Sequence, residues 1–164
     1  MKNVTLRDAD AQDFAAIVAL NASEVRHTST MDEARLHQLD ALACHHKVAV
    51  VDGEVAAFLL AMRHGCGYVN PNFDWFASRL AQFLYVDRIV VGAAHQGLRL
   101  GTRLYEDLFD RARSQGIPVV ACEYNVVPPN EPSRRFHDRF GFREIGSQWL
   151  DDGAKCVSLQ VATT

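Results

Sequence analysis

The chain of 164 residues is 48% hydrophobic and 23% charged, with a formal net charge of -3, which suits one globular domain over residues 1–164 with a core large enough to stand alone. No excess of Lys and Arg is present to neutralise a phosphate backbone, so nucleic acid is excluded as the expected partner. No apolar run approaches the ~18 residues of a membrane span, and MKNVTLRDADAQDF holds no signal-peptide core, so a cytoplasmic protein without membrane contact is expected.

Val4 to Arg7 alternates apolar and polar residues as a short strand, and Asp10 then offers a side-chain cap to a helix whose stripe is Phe14, Ile17, Val18 and Leu20. A second helix is predicted from about Met31 to Ala43, with Thr30 as N-cap and Glu33 at capping-box spacing. HKVAVV and EVAAFLLAM flank Asp52-Gly53, a dipeptide that takes the positive φ angles of a two-residue hairpin, so they form an antiparallel pair. Residues 65–82 break the pattern: GCGYVNPNFDW is rich in turn formers, and FDWFASRLAQF is read as a helix capped by Asn72 within a surface insertion.

FLYVDRIVV is a β-branched and aromatic strand. It runs through a loop with two glycines into a helix from about Leu100 to Gln115, which Gly116 and Pro118 end. VVACEY is the next strand, and strand, loop, helix, strand is a βαβ unit with parallel strands. Pro132 to Phe140 forms one more helix, stopped by Gly141, before strands at about Phe142 to Leu150 and Lys155 to Ala162. The expected fold is α/β with a mixed sheet. Cys44, Cys66, Cys122 and Cys156 make no CxxC pair and have no histidine at metal spacing, so they read as small buried side chains, and no metal is called for.

The most informative segment is VVGAAHQGLRLGTRLYEDLF, where a strand enters a glycine-containing loop and then a helix N-terminus. Unpaired N–H groups of a first helical turn, with the positive end of the helix dipole, hold a pyrophosphate without a dedicated cation. The spacing fits neither GxxxxGK[ST] nor GxGxxG after a first strand, so a phosphate ligand of another kind is implied.

Gln96-Gly97-Leu98-Arg99-Leu100-Gly101 resembles the [Q/R]-x-x-G-x-[G/A] loop of the GCN5-related N-acetyltransferase (GNAT) superfamily, with Arg99 where that family usually has glycine. Downstream, Asn130 to Phe142 is similar to its N-x-x-[A/S]-x-x-[F/L]-Y-x-x-x-G-F segment, with His137 in place of the tyrosine. The resemblance implies a single-domain, mostly antiparallel mixed sheet with a central splayed parallel strand pair flanked by helices, and acetyl-CoA as co-substrate. It places the coenzyme on main-chain groups of Ile89, Val90 and Val91, on Gln96, Gly97, Leu98, Arg99, Leu100, Gly101 and Thr102, and on Asn130, Ser133 and Phe136.

By the same resemblance an amine attacks the thioester directly in a ternary complex, and His137 stands where a tyrosine commonly protonates the departing thiolate. An imidazole near its usual pKa of ~6.5 serves in that role when protonated, while a histidine that packs the last helix is the competing reading. Glu123, within the apolar strand VVACEY, is the candidate base, against a surface or arginine-paired carboxylate. Tyr85 and Asp87 share one strand face and are acceptor-side candidates, against an Asp87 ion pair to Arg88 or Arg139 with Tyr85 in the core. Asn125, Asn72 and Phe73 complete the acceptor set, and Glu123, Asp87 and Asp74 favour a cationic acceptor.

The expected activity is acetyl transfer to a small-molecule amine or amino acid. A non-catalytic acyl-CoA-binding module and a protein N-terminal or lysine acetyltransferase stand as alternatives, and a homodimer is left open.

Overall fold

A computed structural model describes residues 1–24 and 28–164. The strands are β1 (Val4–Asp8), β2 (His45–Val51), β3 (Glu54–Arg63), β4 (Leu84–Val91), β5 (Val119–Val127), β6 (Arg143–Leu150) and β7 (Lys155–Thr163). The helices are α1 (Phe14–Ala22), α2 (Glu33–Leu42), α3 (Pro71–Ala77), α4 (Leu100–Ser114) and α5 (Glu131–Arg139). The seven strands lie in the order β1-β2-β3-β4-β5-β7-β6. Two compact units share the chain: Met1–Met62 with Asp87–Asp110, and Arg63–Val86 with Arg111–Thr164.

In the first unit β1 and β2 pair antiparallel from Val4↔Val51 to Asp8↔Lys47, and β2 pairs antiparallel with β3. The β2–β3 turn is the one the dipeptide predicts, with φ of 49° at Asp52 and 88° at Gly53. Asp10 caps a short 3₁₀ turn, Ala11–Asp13, that leads into α1, and Asp13 completes the capping box. Val48, Ala57, Phe58, Leu59 and Leu60 are fully buried.

The start of α2 differs from the sequence reading. Asp32, not Thr30, is the N-cap, because its carboxylate accepts from the Arg35 N–H at 2.7 Å. Met31 is buried just before that cap instead of opening the helix.

In the second unit β4 and β5 are parallel, in register at Leu84↔Val120 and Tyr85↔Ala121. β5 pairs antiparallel with β7, and β7 with β6. The mixed sheet with its parallel β4–β5 pair is the architecture the sequence predicts. The helix of the 65–82 segment is shorter and starts earlier than predicted. Asn70 caps it by accepting from the N–H groups of Asn72 and Phe73, and Pro71 fills the first helical position, where its missing donor costs nothing. Asn72, predicted as the cap, is two residues too late for that work, and its side chain accepts from Gln148 instead. α5 ends at Gly141, whose φ of 82° turns the chain out toward β6. Among the described residues no helix is long and apolar enough to cross a membrane.

Candidate functional site

The loop that leads into α4 lies in the first unit. β4 ends at Val91, and the Gly92 N–H donates to the Ala56 carbonyl at 2.8 Å. A Cβ at Gly92 would stand 3.1 Å from that carbonyl and from a Leu20 methyl, so only glycine passes here without displacing a neighbour. The 3₁₀ turn Ala93–His95 follows, and the Gln96 side chain donates back to the Val91 carbonyl at 3.2 Å.

Gly97 has φ of 85° and Arg99 φ of 58°, so the position where the resemblance places glycine does adopt the left-handed conformation, and an arginine bears it. That conformation costs an L-residue ~1–2 kcal/mol. The Arg99 carbonyl accepts from the Arg103 N–H, so Leu100, Gly101 and Thr102 form the first turn, whose N–H groups have no carbonyl behind them in the helix. Gln96, Gly97 and Arg99 are exposed. An exposed loop that leads into first-turn donors and the positive end of a helix dipole is what an anion site requires.

Asp87 and Arg88 lie in the same unit. The Asp87 carboxylate accepts from Arg88 Nε at 3.2 Å, and both side chains are buried. Arg88 also donates to the Ser29 carbonyl at 2.6 Å and to Asn21 Oδ1 at 3.0 Å, while Asn21 Nδ2 donates to the same carbonyl. Sequence reasoning gave Arg88 only as a partner for Asp87. The missed signal is a second charge inside a β-branched strand, which has to find several acceptors once buried.

In the second unit Tyr85 is buried, and its hydroxyl donates to Glu123 Oε1 at 2.8 Å, which joins two residues singled out separately from sequence. Phe73 and Phe76 stand against the Tyr85 ring, with centroids at 5.7 Å and 5.9 Å, and Tyr68 stands against Phe73. α3 is fixed to β6 in two ways: Asn72 Oδ1 accepts from Gln148 Nε2 at 3.1 Å, and the Trp75 indole fills the space left by the missing side chain of Gly146.

Asn130 caps α5 by accepting from the Ser133 N–H, and Asn125 is buried near the end of β5. His137 is 4% exposed, between the rings of Tyr124, Phe136 and Phe142. Its Nδ1 donates to the Ser133 carbonyl at 2.7 Å, which fixes the neutral tautomer with the lone pair on Nε2. Burial lowers its pKa below 6.5, only partly opposed by that hydrogen bond and by Asp138. The sequence reading has an imidazole near its ordinary value; the buried one is neutral at pH 7. Burial likewise raises the Tyr124 phenol above its ordinary value. Among the described residues no group of three His, Cys, Asp or Glu side chains is placed to hold a metal ion.

Comparison with known proteins adds a family. The model described as "Acetyltransferase (GNAT) family" matches residues 10–142. The chain is 28% identical to the phosphinothricin N-acetyltransferase of Streptomyces viridochromogenes, over 88% of this chain and 76% of that one. It is also 28% identical to the L-methionine sulfoximine/L-methionine sulfone acetyltransferase of Salmonella typhimurium, over 90% of both chains. Among solved structures, Ard1 from Thermoplasma volcanium superimposes with a TM-score of 0.80 at 15% identity, over 98% of this chain and 97% of that one.

Proposed function

The chain belongs to the GNAT acetyltransferase family and is an acetyl-CoA-dependent N-acetyltransferase, and on that premise we propose that it acetylates a small primary amine by direct transfer in a ternary complex, with Glu123 as the base. The observation that carries the base assignment is the hydrogen bond from the Tyr85 hydroxyl to Glu123. A carboxylate held by a phenol donor beside a wall of aromatic rings is fixed in place and able to take a proton from an ammonium group. The small acceptor is supported by the relatives, whose names give phosphinothricin and L-methionine sulfoximine or sulfone as what they act on. It is supported too by the burial of Asn72, Phe73 and Phe76, which pack inward instead of lining an open groove for a peptide.

In this reading the first-turn N–H groups of α4 and the exposed Gln96–Arg99 loop hold the coenzyme's pyrophosphate, and main-chain groups of Ile89 to Val91 pair with the pantetheine arm. Glu123 takes a proton from the ammonium. The amine lone pair then attacks the thioester carbonyl carbon, the C–S bond breaks with its electron pair on sulfur, and the thiolate takes up a proton.

Two measurements test this. A screen of small amines with acetyl-CoA, followed by thiol release, is expected to find turnover with amino-acid-sized amines and none with peptide N-termini; the reverse result overturns the acceptor assignment. Glu123→Gln is expected to lower the rate by roughly 10²- to 10⁴-fold where the acceptor is protonated, with the gap closing as rising pH deprotonates the amine without help. An unchanged pH profile would make Glu123 structural.

A further inference from the structure

A cavity of about 540 Å³ lies beside α5, lined by residues of α5, β5, β6 and β7, all in the second unit. That volume is in the range of small-ligand sites, ~300–1,000 Å³. Its floor is polar where a helix-covered sheet face is ordinarily apolar: Ser158 is 1% exposed and Gln160 3%, both on β7 and both turned toward the cavity with Tyr124.

The hydrogen bonds among these groups run one way. Ser158 Oγ donates to Glu144 Oε2, and Gln160 Nε2 donates to Ser158 Oγ. The Ser158 proton is committed to Glu144, and the Ser158 oxygen accepts from Gln160. The hydroxyl proton of Ser158 and an amide proton of Gln160 are therefore consumed within the floor, and the chain ends on a carboxylate.

What the floor has left for a ligand is mainly lone pairs. Gln160 Oε1 and the second oxygen of Glu144 accept and cannot donate, and the Tyr124 hydroxyl oxygen can accept as well. The Asn125 carboxamide, 5% exposed and also lining the cavity, can turn its oxygen inward. At the rim three carboxylates, Glu131, Asp138 and Glu144, face two guanidiniums, Arg134 and Arg143. Arg134 already lies near Glu131 and Asp138, at 3.7 Å and 4.0 Å.

An acceptor-rich floor that ends on a carboxylate is matched by a ligand rich in N–H donors and positively charged. We propose that this cavity, whose lining includes neither Tyr85 nor Glu123, is a binding site for a small organic cation carrying a primary ammonium group. The proposal does not rest on Glu123 as the base. Because the Tyr124 ring stands against His137, and Glu131, Arg134 and Asp138 of α5 line the cavity, an occupant of this site would bear directly on the helix that carries Ser133 and His137.

The test is an NMR titration of the full chain with 1,4-diaminobutane, with 1-butanol as the neutral control, in wild type, Glu144→Gln and Glu123→Gln. Saturable shifts are expected at the amides of Tyr124, Glu144, Ser158 and Gln160, with affinity weakened about tenfold or more in Glu144→Gln and unchanged in Glu123→Gln. Glu144→Gln is nearly isosteric on an exposed edge-strand residue, so its fold is preserved, and unchanged shifts for the rest of the spectrum check this. No saturable shift at these residues up to tens of millimolar overturns the proposal. So does equal binding of 1-butanol, equal binding to Glu144→Gln, or loss of binding in Glu123→Gln, which would place the diamine at the transfer site alone.

Discussion

His137 is closed in by three aromatic rings and keeps its Nδ1 proton on the Ser133 carbonyl. Its pKa is lowered chiefly by burial, so between the lowered folded value and the unfolded value of 6.5 the unfolded chain binds more protons than the folded one. Stability contributed by the neutral ring is therefore present above pH ~6.5 and is lost as pH falls through the folded value. The same neutrality bears on catalysis, since an imidazole whose only proton is donated to a carbonyl has none to give to a thiolate at pH 8. We expect His137→Ala to lower Tm and to remove part of the acid sensitivity of Tm between pH 7 and pH 5. Its kcat at pH 8, measured at saturating coenzyme and acceptor where the variant is folded, is expected to stay within tenfold of wild type. A fall of roughly 10²- to 10⁴-fold under those conditions is what the proton-donor role predicts instead.

At the scale of elements, α3 owes its place to a glycine on another element. A Cβ at Gly146 would come within 2.3 Å of Trp75 Cζ2 and 2.6 Å of Cη2, atoms of a rigid ring that also lies under the Arg79 guanidinium. Gly146→Ala is expected to destabilise the fold by about 1–3 kcal/mol, the usual cost of overpacking, and to change Trp75 fluorescence. An unshifted denaturation midpoint would mean that α3 can move aside freely. This packing could not be read from the sequence, because it depends on a register shift in the β6–β7 ladder between Glu144 and Gly146. The same shift hid the Glu144–Ser158–Gln160 chain. What local chemistry decides was legible: the Asp52-Gly53 hairpin, the Asp10 cap, the stop at Gly141, and the strand–loop–helix that ends in α4. Cap choice was legible only in part, since Thr30 and Asp32, or Asn70 and Asn72, compete within two residues, and only backbone geometry settles which side chain reaches the N–H groups. Tyr85 and Glu123 were each singled out, but their hydrogen bond needs the parallel register of β4 and β5, which no pattern in one strand encodes.

For the molecule as a whole, a ligand that binds only the folded chain adds stability by mass action, about 2.7 kcal/mol at a hundredfold excess over its dissociation constant. For a chain of this length that corresponds to roughly 5–10 °C in Tm. Acetyl-CoA and CoA are both expected to give such a shift at millimolar concentration, because the proposed anchor is the pyrophosphate they share. The shift belongs to the start of α4, where Gly97 and Arg99 hold left-handed conformations and the first-turn N–H groups have no carbonyl behind them in the helix. Gly101→Asp puts a negative charge and added bulk on that turn, and it is expected to abolish the shift while leaving the melting point without coenzyme near that of wild type. An Asp in the first turn of a helix is itself favourable to the helix dipole, so loss of the shift would report on anion binding and not on a weakened helix. A full shift in Gly101→Asp would place the pyrophosphate away from this loop, and no shift in the wild-type protein would remove the coenzyme site from α4 altogether.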